Sequence, residues 1–528
     1  MSWPPTGFVY GIDVARFRDS NGDGIGDLAG VTDRLEHIRD LGAQWIWLLP
    51  IFPSLRRDNG YDVDDHEGID PRFGDLDDFA ALIDGCHRLG ISVMLDLVVH
   101  HTSDRHRWFL DARRDRGSAH GHYYVWADEP IEIPGDTNVF PGEEDAVWSY
   151  DETAAGWYHH QFYAYQPDLN LANEDVAEEV VGIATTWLRR GVDGFRIDAA
   201  IPAVNPKPTD GTGVNEKDFY QKLHARLSEV RPDVVLMGEA DVPPESMAPL
   251  LQSRGMDAVL DFTLNNSLFL ALAREDPGPV YDALDRLDRT SRPACRVNFV
   301  RNVDELDLQQ LHDDERTEVM RAFGPAPDML LYGRGLRRGW APMMGTPERF
   351  RMTLSLLAAL PGVPLIMQGQ EIGIGEDLSV EGRDACRPAM QWTAEAGVGF
   401  STRADSPYIL PAQREGPFAA ARVNVLDQSG DERSHLALAR ALARTRQASG
   451  VDGEIARPVP IPGAGSVVAL AAGDTVTLHN LSARPQVVTP LTDADVLLAE
   501  AWHGDVLGPY GFVWLRTRGE ARFARGTS

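Results

Sequence analysis

Eight short, nearly continuous apolar segments recur along the chain: Phe8–Ile12, Trp45–Pro50, Ile91–Val99, Val192–Asp198, Val234–Glu239, Ala258–Phe262, Val297–Arg301 and Val363–Met367. A strand with one wet face alternates apolar and polar residues. A strand that is apolar throughout must be covered on both faces, as in a parallel sheet flanked by helices. The intervening stretches carry the helical period. Leu28, Val31, Leu35, Ile38 and Leu41 share one helix face, with Gly42 as the stop, and Phe79–Leu89 repeats the pattern before Gly90. Strand and helix alternating eight times predict an α/β fold, a (β/α)8 TIM barrel.

Two connections are too long to be bare loops of a compact domain. One spans residues 101–171 and is rich in Trp, Tyr, His and Gly; it reads as a small B domain inserted after the third strand. The other, 305–346, carries Arg334, Arg337 and Arg338 and reads as a lid-like insertion. The barrel then comprises residues 1–100 and 172–449. Beyond it, residues 450–528 hold short segments punctuated by Pro and Gly (Ser466–Ala471, Thr475–Leu481, Val496–Trp502, Gly511–Leu515), expected to form a C-terminal antiparallel β-sandwich.

A formal charge of −30 would repel phosphates, which argues against nucleic acid and anionic membranes as partners. No apolar run approaches the ~18 residues of a membrane span, and Met1–Pro5 lacks the basic and apolar regions of a secretory leader. Cys86, Cys295 and Cys386 are odd in number and far apart, so the expectation is reduced thiols and a cytoplasmic setting. Homo-oligomerisation is left open.

The polar residues of interest fall where the apolar strands stop. In Gly191–Ala199, Arg196 and Asp198 are two positions apart and so project to one side of the strand. The guanidinium keeps its neighbouring carboxylate ionised, which suits a nucleophile. Asp96 to His101, Glu239 and Asp304 stand at the ends of other strands. On a barrel of this kind these ends form the active-site face. Crowded carboxylates push their pKa values apart, leaving one protonated as an acid while another stays ionised. Glycosidic bond cleavage requires that combination. Separately, Asp19, Asn21, Asp23 and Asp27, with glycines at the turns, follow the oxygen-ligand logic of a Ca2+ loop, although Gly30 stands where an EF-hand needs Glu.

Asp96–His101, Gln166–Asn170, Gly194–Asp198, Gly238–Ala240 and Arg301–Glu305 together resemble the α-amylase superfamily of glycoside hydrolases over essentially the whole chain. Gly60–Val63, Leu360–Pro364, Pro388–Trp392 and Asn298–Glu315 are similar to its trehalose synthase and oligo-1,6-glucosidase branches. The resemblance implies Asp198 as nucleophile, Glu239 as acid and then base, and Asp304 as stabiliser of the transition state. It implies that Arg196 orients Asp198, that Tyr61 and His101 contact the sugar, and that Asp62 and Arg387 grip its outer hydroxyls. Phe162 and Gln166 would line the pocket, and Ca2+ would be held by Asp19, Asn21, Asp23, the Ile25 carbonyl and Asp27.

Two positions depart from that pattern. His100 replaces the usual Asn, and Val303 replaces a His that donates to the reacting sugar. Losing such a donor costs on the order of 10²-fold in rate. The implied activity is interconversion of maltose and trehalose by intramolecular transglucosylation through a β-glucosyl-enzyme. Two alternatives are an α-glucosidase acting on small α-glucosides and a catalytically weakened sugar binder. In each, the partner is a small oligosaccharide or disaccharide.

Overall fold

The eight apolar segments fold as parallel strands: β1 (Phe8–Ile12), β2 (Ala43–Leu48), β3 (Ser92–Leu97), β4 (Gly194–Ile197), β5 (Val235–Gly238), β6 (Ala258–Leu260), β7 (Arg296–Asn298) and β8 (Val363–Met367). They close into a barrel in chain order, with β8 pairing β1. This computed structural model describes residues 3–133, 138–204, 218–292, 295–403, 415–451, 457–459, 461, 464–488 and 494–518. The strands are buried on both faces, as their composition requires. Val9, Trp45, Met94, Met237, Val297 and Leu365 fill the barrel interior, while Phe8, Tyr10, Ile46 and Phe195 belong to the layer under the surrounding helices.

The helix from Leu76 to Arg88 is fixed at its start by Asp75, whose carboxylate accepts from Asp77 N and Asp78 N while Asp78 reaches back. The helix expected over Leu28–Leu41 is divided into Leu28–Thr32 and Leu35–Asp40. The break falls at Asp33–Arg34, where the Arg34 guanidinium lies over the Trp392 ring at 4.6 Å.

The connection after β3 holds a helix (Arg107–Arg114) and a three-stranded antiparallel sheet of Trp126–Ala127, Trp148–Asp151 and Gly156–His159. It is closed by Phe109 stacking on Trp126. The connection after β7 builds a second small sheet, Leu306–Asp307, Gly335–Leu336 and Leu330–Leu331, beside the helix Asp313–Phe323. The C-terminal strands are antiparallel, as expected. Those described pair into one six-stranded sheet, with a buried core of its own around Val476, Leu478, Val513 and Leu515. The helix Pro347–Ala359 packs on the other face. Trp514, on the covered face, donates to Ser355 Oγ of that helix at 2.9 Å. No helix among the described residues is long and apolar enough to cross a membrane.

Candidate active site

Strand register assembles the site. Asp96 on β3 is the direct neighbour of Arg196 on β4, and Ile197 is the neighbour of Gly238 on β5. Asp198 and Glu239 therefore leave adjacent strands at one level. Asp198 N still donates to Leu97 O (3.3 Å) and Glu239 N to Ile197 O (2.9 Å). Arg196, fully enclosed, is the hub. Its Nη1 donates to Asp198 Oδ1 at 2.5 Å and to Asp96 Oδ1 at 2.7 Å, and its Nη2 lies 2.7 Å from Glu239 Oε2. Trp47 Nε1 (2.8 Å) and Tyr61 OH (3.2 Å) donate to the other oxygen of Asp96. Asp96 is thus a structural counter-charge, while Asp198 and Glu239 project into a cavity of about 310 Å³. Retaining glycosidases hold their two carboxyls ~5–5.5 Å apart and inverting ones farther. Two carboxyls on the prongs of one guanidinium are held near each other, on the same side of the cavity.

Asp304 faces them from beyond β7. Its Oδ1 lies 3.1 Å from Arg383 Nη1 and accepts from Arg387 Nη2 at 3.2 Å. Arg387 Nε also donates to Val303 O (2.6 Å), so this arginine braces Asp304 from behind, while Arg383 lines the cavity. Burial pushes Asp198 up to about 6 and Glu239 up to about 7, against the pull of Arg196. For Asp304 burial also acts upward, but Arg383, Arg387 and Arg196 outweigh it and hold the carboxyl below its ordinary value. The site therefore separates its acids by environment: Asp304 ionised, Asp198 intermediate and Glu239 protonated nearest neutrality.

Tyr61, His101 and Phe162 line the cavity, as the sequence implies. The Phe162 ring packs on His101 at 5.4 Å and on His100 at 4.9 Å. Asp62 corrects its expected role. It is 0% exposed, and its oxygens accept from Ser54 Oγ (2.8 Å), Arg57 N (3.2 Å) and Asp58 N (3.2 Å). A carboxylate so satisfied shapes its loop and does not reach the sugar. Asp58, three residues before Tyr61, lines the cavity instead. Gln166 lies beneath the surface, donating to Asp58 Oδ2 at 2.9 Å. His100 is fully buried, with Nδ1 3.4 Å from Asp168 Oδ1, and lies behind Phe162 rather than on the cavity wall. Val303 packs with Phe262, Phe299 and Met367 beside a separate void of about 50 Å³.

The cavity has a roof, for which the sequence offered the lid-like insertion 305–346 but not its contacts with the insertion after β3. Arg334 Nη2 donates to Val139 O (3.1 Å), the Tyr332 ring lies 5.2 Å from Phe140, and the Arg383 guanidinium lies 4.9 Å over Phe140. The insertions after β3 and β7 thus meet above the carboxylates. The only sequence signal was the two long connections with their aromatic and arginine content.

The Asp19–Asp27 loop is distinct. Asp19 accepts from Gly22 N (2.6 Å) and Gly24 N (2.8 Å), and Asp27 from Ser20 N (2.9 Å) and Gly30 N (2.6 Å). Asn21 and Asp23 are exposed and accept from amides two residues on. The donors are hard oxygens, as Ca2+ prefers, but they turn to their own backbone. Among the described residues no group of three His, Cys, Asp or Glu side chains takes metal-holding geometry.

Fold and site together define a barrel enzyme that acts on glycosidic bonds, a glycosidase or transglucosylase. The chain belongs to the α-amylase family: the model described as "Alpha amylase, catalytic domain" matches residues 11–317 and 340–452. The gap falls within the second insertion. The chain is 34% identical over 506 residues to trehalose synthase/amylase TreS of Mycobacterium tuberculosis, covering 92% of this chain and 83% of that protein. It is 32% identical over 504 residues to a probable alpha-glucosidase of Rhizobium meliloti, covering 85% of this chain and 83% of that protein. Among solved structures, an alpha-amylase from H. orenii superposes with a TM-score of 0.78 at 28% identity, covering 97% of this chain and 99% of the other.

Proposed function

We propose that the protein is a retaining transglucosylase of the trehalose synthase type, interconverting maltose and trehalose. Asp198 Oδ attacks the anomeric carbon as Glu239 gives its proton to the departing glycosidic oxygen. The result is a β-glucosyl-enzyme and a free glucose. Glu239, now a carboxylate, takes the proton of the glucose anomeric hydroxyl as that oxygen displaces Asp198. Two inversions retain the α configuration. Asp304, held ionised by its arginines, stabilises the positive charge that develops on the sugar ring.

The observation that carries this reading is the roof. With Arg334 bonded to Val139 O and Tyr332 against Phe140, the first glucose stays enclosed and can turn over before it escapes. The likeness to a protein named trehalose synthase/amylase, 34% over 92% of the chain, supports trehalose as the product. Incubation with maltose tests it. Trehalose formed ahead of free glucose is the expected result, and glucose without trehalose would refute it. The second reading, an α-glucosidase using water as acceptor, draws on the Rhizobium relative and uses the same residues.

For the Asp19–Asp27 loop we propose a Ca2+ ion held through the lone pairs that the amide bonds leave over, with the buried Asp19 as anchor. EDTA should lower the melting temperature and added Ca2+ restore it; an unchanged midpoint removes the metal. The three unbridged cysteines support a reducing, cytoplasmic setting.

A further inference from the structure

The side of the cavity that receives the leaving sugar carries more acid than base. Asp241 stands two residues beyond Glu239 and lines the cavity with Asp307, Gln309 and Arg334. Asp307 is paired, its Oδ2 accepting from Arg334 Nε at 2.7 Å. Glu239 is paired with Arg196. Asp241 has only neutral donors: Gln310 Nε2 gives to its Oδ1 at 2.8 Å, and Gln309 Nε2 gives to its backbone oxygen at 3.3 Å. Among the described residues no arginine, lysine or histidine bridges to Asp241. Burial, then the Asp307 carboxylate, push it up to about 7, so its charge is held there at a cost.

A ligand that brings a positive charge to this wall relieves that cost, and a neutral one does not. We propose that Asp241 makes the acceptor side of the cavity selective for sugars or polyols that carry an ammonium group. The inference rests on the transglucosylase reading above. In the transfer step the acceptor's hydroxyl oxygen bonds to the anomeric carbon as the bond from that carbon to Asp198 breaks. The hydroxyl proton passes to Glu239. The ammonium stays protonated and serves only to dock against Asp241.

The test uses the full chain with 4-nitrophenyl α-glucoside as donor and glucose or glucosamine, at equal concentration and pH 7, as acceptor. The ratio of transfer to hydrolysis is read for each. Glucosamine should transfer about 5-fold better than glucose, the weight of a half-exposed ion pair. In Asp241→Asn that preference should vanish. Because both acceptors are compared within one variant, any general loss of rate cancels. Equal use of the two acceptors by the native chain, or a preference that survives in Asp241→Asn, overturns the proposal. If maltose still yields trehalose under those outcomes, the transglucosylase reading stands without the subsite. If neither sugar accepts and only hydrolysis is seen, both fall.

Discussion

At the scale of single residues, the arrangement around Arg196 makes the pH dependence calculable in sign. Activity needs Asp198 ionised and Glu239 protonated. Burial raises both, to about 6 and about 7. The rate should therefore rise as Asp198 loses its proton near pH 6 and fall as Glu239 loses its own near pH 7. A bell-shaped profile of kcat/KM centred between them is the expected measurement. Glu239→Gln should slow turnover of maltose by about 10²–10⁴-fold, with a much smaller effect on release of nitrophenol, which needs no protonation. Arg196 is the shared counter-charge of three carboxyl groups that lie together in the barrel mouth. Arg196→Gln strips that counter-charge and should destabilise the fold by about 3–5 kcal/mol in chemical denaturation.

At the scale of elements, the barrel strands were legible because their burial leaves an unbroken apolar run, and the observed limits differ from the expected ones by a few residues at most. The helix after β1 was less so. Its five apolar residues keep the helical period across Asp33–Arg34, but the tertiary contact of Arg34 with Trp392 goes with a break there. Asp62 was misread for a related reason. Sequence shows an acid beside Tyr61, but only the folded loop shows its oxygens consumed by Ser54 and two amides, with Asp58 presented in its place. The roof is also an element-scale feature, made by two insertions touching through Arg334, Tyr332 and Phe140. Arg334→Ala removes the bond to Val139 O and should admit water. Product analysis from maltose should then shift toward free glucose at the expense of trehalose.

At the scale of the whole molecule, the C-terminal sheet is joined to the barrel by a buried polar seam. His479 Nε2 lies 2.9 Å from Ser355 Oγ, to which Trp514 Nε1 also donates. Burial lowers His479 to about 3. A group whose folded pKa is depressed contributes stability that is present above its unfolded value, ~6.5, and is lost as pH falls toward the folded one. The melting temperature should therefore drop between pH 6.5 and 4 in part through this residue, and His479→Gln should make that drop shallower.

The sequence by itself determined the barrel and the level at which its acids emerge. Two-sided burial dictates the composition of each strand, and the two-residue period dictates which side its polar end faces. Only the tertiary structure decided which acids share a counter-charge, which are consumed by their own loops, and what covers the pocket. Those outcomes depend on contacts between distant segments, such as Arg334 with Val139 across 195 positions, whose pairing no local pattern encodes.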